Sequence, residues 1–162
     1  MISKKLSAHL RHLRYELFHK WYVLTECFKA GLYWRGIVHD MSKFLPDEWF
    51  PYVEFFYNGK KTKDEFERAS SLHRNRNKHH YQCWIIQQED GSSAVLPMEE
   101  PYITEMICDW IGIEKAMKAL GHRSLESDPL CEVQNYWIKT KNTKEMHEQT
   151  KREIDKRLGI TE

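Results

Sequence analysis

Neither sign of charge prevails in this chain: 25 Lys and Arg stand against 24 Asp and Glu, for a formal net charge of +1. That balance excludes an extended nucleic-acid-binding tract or a polybasic membrane anchor, so a polyanion would have to be held locally and nucleic acid is not the favoured partner. Glycine and proline are scarce too, 7 and 5 in 162 residues, beside 41% hydrophobic and 30% charged residues. This excludes a disordered chain and fits a folded, mostly helical one. No apolar run approaches the roughly 18 residues that a membrane span requires. The N-terminal segment alternates charges with hydrophobics instead of forming an h-region, so the expected setting is the cytoplasm, without a membrane partner. The cysteines Cys27, Cys83, Cys108 and Cys131 form no CxxC pair, and reduced thiols packed in the core are expected. The length suits one core, and we expect one domain over residues 1–162.

Hydrophobic periodicity predicts an all-α bundle of about six to seven helices. Leu6, Leu10, Leu13, Leu17, Leu24 and Phe28 recur at three- and four-residue steps, which predicts one amphipathic helix from Ser3 to Ala30 stopped by Gly31. A shorter helix is expected from Trp34 to Phe44, ended by Pro46, with His39 and Asp40 near its middle. Asp47 and Glu48 suit the first turn of a third helix that carries Trp49, Tyr52, Val53 and Phe56 and breaks at Asn58 and Gly59. The aromatic stretch from Trp49 to Tyr57 reads as core rather than as a stacking platform for bases. A charged loop, Lys60 to Asp64, precedes a helical pattern from Glu65 to about Gln87; Glu89 to Pro97 then forms a loop or a small hairpin. Pro101 opens a strongly periodic helix that stops at Gly121, and Asp128 to Lys139 and Thr143 to Leu158 read as two more.

Nine histidines are many for a chain of this size, and their placement carries the chemistry. His12 and His19 share a face of the first helix, with Glu16 between them. His39 and Asp40 diverge by about 100° on a helix and could straddle one ion in a seam between helices. Lys43, four residues beyond His39, could hold a phosphate that such an ion polarises. His73, Asn77 and His80 line up on one stripe with His79 turned aside, among Arg74, Arg76 and Lys78. Inward polar stripes are costly unless they bind something; the bland alternative is a solvated basic patch. Glu105 and Asp109 lie inside the most hydrophobic helix, where a carboxylate is exposed, paired or a ligand. Imidazole and carboxylate donors without thiolates suit zinc, manganese, iron, nickel or magnesium, as one ion or two. His9, His122 and His147 fall in polar surroundings and are expected to be exposed.

The order His19, His39-Asp40, Asp109 resembles the H…HD…D signature of the HD superfamily of metal-dependent phosphohydrolases. The run His39-Asp40-Met41-Ser42-Lys43 is similar to the HDxGK form of its cyclic-dinucleotide phosphodiesterases, with Ser42 in place of glycine and no GYP-type motif elsewhere. The whole chain resembles more narrowly an uncharacterised bacterial and phage family of HD-like proteins, the domain of unknown function DUF5662. The matching segments are His12 to Val23, His39 to Phe44, His73 to Trp84 and Glu105 to Trp110. Members are often labelled catalase, yet nothing here resembles a haem-binding catalase.

The resemblance implies an HD-like helical fold with a metal core over about residues 10–120. It implies His19, His39, Asp40 and Asp109 as ligands of a first ion, and one or more of His73, His79 and His80 at a second position. It also allows homo-oligomers. The expected activity is hydrolysis of a nucleotide or other small phosphate ester, with Asp40 and Lys43 in the catalytic centre. Lys43, Arg74, Arg76 and Asn77 would contact the substrate, and His12 and Glu105 would act as orienting groups or as an acid/base pair. The alternatives are an HD-type di-iron oxygenase and a non-catalytic module that metal staples together.

Overall fold

Seven α-helices and one two-stranded hairpin make up most of the regular structure among residues 4–59 and 63–160, the part described by a computed structural model. The all-α class holds. α1 (Lys4–Lys29) is the long helix that the periodicity predicts, ended by Gly31 at φ 77°. Its inward face is not the leucine stripe. Leu6, Leu10 and Leu17 are exposed by 51%, 47% and 54%, whereas Ala8, His12, Glu16, His19, Val23 and Cys27 are buried. At the C-terminal end of that buried stripe, Val23 and Cys27 pack against Cys108 and Gly112 of α5 (Glu100–Ala119), and titratable side chains fill its middle. Gly112 is required at the crossing: a Cβ there would overlap the Val23 side chain and meet its backbone nitrogen at 2.9 Å. About one turn earlier on each helix, His19 and Asp109 face each other.

The expected helix from Trp34 to Phe44 is broken at the His-Asp pair. α2 (Tyr33–Val38) stops; His39 leaves the helical region at φ −49° and ψ 128°, Asp40 is left-handed at φ 52°, and Met41–Phe44 forms a 3-10 turn. Lys20 accounts for the break by donating to the carbonyls of Ile37 and His39, each at 2.8 Å, where a continuing helix would have supplied N–H groups. On a regular helix the two side chains would diverge; the break turns both inward.

α3 (Pro46–Val53) has Pro46 at its start and widens after Pro51 into a π turn over Glu54–Asn58, ended by Gly59 at φ 72°. Ser3 and residues 60–62 of the expected charged loop lie outside the described residues, and Lys63 and Asp64 already belong to α4 (Lys63–Arg76). That helix does not continue to Gln87. The Asn77 side chain donates to the His73 carbonyl at 2.8 Å, taking the place of a helical N–H, and the chain turns. His79 and His80 therefore sit in the turn, ahead of a 3-10 segment Tyr81–Trp84. β1 (Ile85–Gln87) and β2 (Ser93–Val95) follow as an antiparallel hairpin with Ile85 opposite Val95.

α6 (Pro129–Thr140) is capped by Asp128; Lys141–Thr143 forms a 3-10 turn, and α7 (Glu148–Arg157) starts later than expected, where the His147 ring caps it by accepting from Gln149 N–H. Both pack on the apolar face of α5, where Ile103, Met106 and Ile107 meet Val133, Trp137 and Ile154. The opposite face of α5 carries Glu105, Cys108 and Asp109 toward α1, so the half of the fold that holds the histidines has a polar interior. Cys27 and Cys108 are buried there, but Cys83 is only partly buried and Cys131, beside Asp128 in the first turn of α6, is exposed. No helix among the described residues is long and apolar enough to cross a membrane.

Candidate metal centre

Asp40 stands between two groups of ligand-type side chains. Its Oδ2 lies 3.6 Å from His19 Nε2 and 3.5 Å from His39 Nε2, and Asp109 Oδ1 lies 3.2 and 3.3 Å from the same two nitrogens. Its Oδ1 lies 3.4 Å from both His73 Nε2 and His79 Nε2, and His80 Nε2 is 2.9 Å from His73 Nε2. Within each group the ligand atoms lie within 4.8 Å of one another, so each group could hold a metal ion. All are nitrogen or oxygen donors, the set that suits zinc, manganese, iron or nickel.

The hydrogen-bond inventory fits that role. His19 Nε2, His39 Nε2, His79 Nε2, Asp40 Oδ1 and Asp109 Oδ1 are buried without a hydrogen-bond partner. Buried polar atoms are nearly always satisfied, and five of those left over among the described residues converge here. A cation would satisfy them together.

Behind the rings, carboxylates fix which nitrogen points inward. Glu105 Oε1 is 3.0 Å from His39 Nδ1 and 3.4 Å from His79 Nδ1. A carboxylate only accepts, so Nδ1 carries the proton in His39 and leaves the Nε2 lone pair facing the centre. Arg35 Nη1 holds the other oxygen of Glu105 at 3.1 Å while its guanidinium lies over the Tyr102 ring. Glu48 repeats the device for His73: Oε2 is 2.9 Å from His73 Nδ1 and 3.0 Å from Ser42 Oγ, and Oε1 takes Arg76 Nη1 at 2.8 Å. Burial opposes ionisation of both carboxylates, but the hydrogen bonds of His39 and His79 hold Glu105 down to about 2, and those of His73 and Arg76 hold Glu48 below its usual range. His39, His79 and Glu105 also form a third group that could hold an ion. The adjoining Arg35 charge and the outward Nδ1 atoms make it a buttress instead.

Lys43 Nζ is 2.9 Å from Asp40 Oδ2 and 3.6 Å from Glu16 Oε2. Burial opposes its charge, but Asp40 and Glu16 raise its pKa well above the usual lysine value. It lines a cavity of about 530 Å3 together with Asp40, His73, His80 and Asp109. Tyr52, Phe56 and Tyr57 form another wall, so part of the aromatic stretch expected in the core faces this space. His12 and His122 also line it; His9 is tied to Trp49, and His147 caps α7.

The remaining expected substrate contacts lie elsewhere. Arg76 is occupied by Asp47 and Glu48, Asn77 donates to Ser42 Oγ at 2.8 Å, and Arg74 does not line the cavity. Glu105 faces the Nδ1 atoms of His39 and His79 behind the rings, the position that the orienting alternative requires. Sequence reasoning missed Glu48, Arg35, Ser42 and Tyr15. Glu48 suits the helix start after Pro46, and only its place five residues beyond Lys43 marks it in the sequence.

The model of a family described as "Family of unknown function (DUF5662)" matches residues 8–160, which include every residue of both groups. No curated protein and no solved structure matches the chain.

Proposed function

The chain belongs to the DUF5662 family, and we propose that it is a metal-dependent phosphohydrolase acting on a nucleotide or another small phosphate ester. The observation that carries this reading is the position of Asp40, whose two oxygens face different sets of histidines so that one carboxylate can serve two cations. Cations held there would supply Lewis acidity, neutralise phosphoryl oxygens and lower the pKa of water. The chain's own groups do the rest. Lys43, charged and at the edge of the cavity, stands where it can neutralise a phosphoryl oxygen. Tyr15 keeps its phenolic proton because burial pushes its pKa up to about 12, so it offers a donor in the same space. Glu105 and Glu48 hold the rings in register.

Incubating the metal-loaded protein and its Asp40→Asn variant with a panel of nucleotides and simple phosphate esters tests the proposal. Release of phosphate by the native chain alone supports it, and equal rates in both reject this site. The same donors, five imidazoles with Asp109 and an Asp40 carboxylate common to both groups, also suit a pair of iron ions reacting with oxygen. Iron content with oxygen uptake and no phosphate release would favour that second reading.

A further inference from the structure

One wall of the cavity has no part in holding cations. From Asp40 a file of polar groups leads away from the histidines: Lys43 Nζ at 2.9 Å from Asp40, Glu16 Oε2 at 3.6 Å from Lys43, and His12 Nδ1 at 3.8 Å from Glu16 Oε1. His12 is 2% exposed and lines the cavity, yet its Nε2 has no hydrogen-bond partner. Rings surround it: Trp49 at 4.5 Å, Tyr57 at 5.7 Å and Tyr52 at 6.3 Å between centroids. Tyr52 also meets His73, at 6.4 Å, so a single ring connects this end to the second ligand group. Burial lowers the His12 pKa, which leaves a neutral ring with one free acceptor when Nδ1–H is turned to Glu16.

The charges limit what this end accepts. Lys43 is the one Lys or Arg among the described residues that line the cavity, and Glu16 opposes it. Away from the two histidine groups, a polyphosphate tail would meet one cationic side chain, the Glu16 carboxylate and phenol rings. Flat faces and free acceptors instead suit an uncharged ring that carries N–H or O–H donors.

We propose that this wall is the recognition end of the pocket: it stacks the flat, uncharged body of a phosphomonoester between aromatic rings, and His12 Nε2 and the Glu16 carboxylate accept hydrogen bonds from it. A single phosphoryl group then points toward the two histidine groups. The inference rests on the phosphohydrolase reading for the phosphoryl end; the ring end stands on its own geometry. The ligand class is a nucleoside monophosphate or a phosphomonoester of similar shape, and His12 and Glu16 determine its specificity.

Calorimetric titration of the full chain, loaded with manganese, tests this with the four common ribonucleosides, their 5′-monophosphates, adenosine 5′-triphosphate and inorganic phosphate. At least one nucleoside is expected to bind without its phosphate, and its monophosphate to bind at least about tenfold tighter than the triphosphate. Glu16→Gln and His12→Phe are expected to weaken the nucleoside and the monophosphate about tenfold or more, with inorganic phosphate changed less than about twofold. Retained manganese content shows that each variant is folded at the centre. Preference for the triphosphate, no binding of any nucleoside, or unchanged affinities in both variants would overturn the inference. Nucleoside binding that both variants weaken, with no phosphate released from any ester, would sink the hydrolase reading and leave the recognition end in place.

Discussion

Glu105 Oε1 lies 3.0 Å from His39 Nδ1, so a carboxylate on α5 decides which nitrogen of a ring beyond α2 is presented to the centre. The same oxygen reaches His79 at 3.4 Å, and Arg35 holds the carboxylate from behind. Glu105 thus supports one ring in each group, whereas Glu48 supports only His73. Glu105→Gln should weaken metal binding at both positions by roughly 10–100-fold, the usual cost of losing such a partner. Glu48→Gln should weaken only one of two binding steps. Metal titration followed by calorimetry distinguishes them; two equal losses from Glu48→Gln would contradict the assignment.

Asp40 combines the bridging position with a left-handed backbone at φ 52°. Asparagine tolerates that conformation about as well as aspartate and keeps the side-chain shape. Asp40→Asn is therefore expected to keep the helical circular dichroism spectrum while losing both cations. A variant that unfolds outright would mean that the carboxylate acts through the backbone turn instead.

Removing metal should loosen the half of the fold whose interior is polar. His19, His39, Asp40, His73, His79 and Asp109 are all buried, with converging atoms left unsatisfied. A cation at about 100 times its dissociation constant adds about 2.7 kcal/mol, which for a chain of this size is a melting-point rise of roughly 5–10 °C. Chelation should reverse it, and calorimetric melts with and without chelator measure the difference.

The pH dependence follows from His39. Burial opposes its charge, but the nearby carboxylates of Asp40 and Asp109 and the hydrogen bond to Glu105 push its pKa up to about 10 when no cation competes. A group raised in this way stabilises the folded state below its unfolded value of 6.5, and the contribution is lost as pH rises toward 10. A bound cation needs the unprotonated ring, so metal binding should release protons and tighten as pH rises. The gap in melting temperature between metal-loaded and metal-free protein should therefore widen from pH ~6 to ~9. A gap that narrows over that range would exclude His39 as a ligand.

Gly112 sets the spacing that brings His19 to Asp109. Gly112→Ala forces a methyl group into Val23 and should cost about 1–3 kcal/mol, as overpacking of a close contact does. It should also weaken the first metal position more than the second. Denaturant melts and metal stoichiometry read the two effects separately.

Much of this arrangement was legible in the sequence, and the failures have specific causes. The helical class follows from periodicity, and four of the buried site residues, His19, His39, Asp40 and Asp109, follow from the H…HD…D order. The face of α1 did not, because a rule that buries the most hydrophobic stripe fails where a polar centre forms the interior. Val23 and Cys27, four and eight residues beyond His19, with Gly112 opposite, are the signal of that close crossing. His79 and His80 were assigned to a helix because nothing in the pattern announces that the Asn77 side chain caps α4. The break at His39 was hidden for a similar reason, since the lysine that satisfies its carbonyl comes from another helix.

Elemental analysis of the native protein beside His19→Ala and His73→Ala tests the central claim most directly. Two cation positions that share Asp40 predict about two equivalents of a transition metal in the native chain and about one in each variant. A native protein that carries no metal, or variants that keep the full complement, would contradict it.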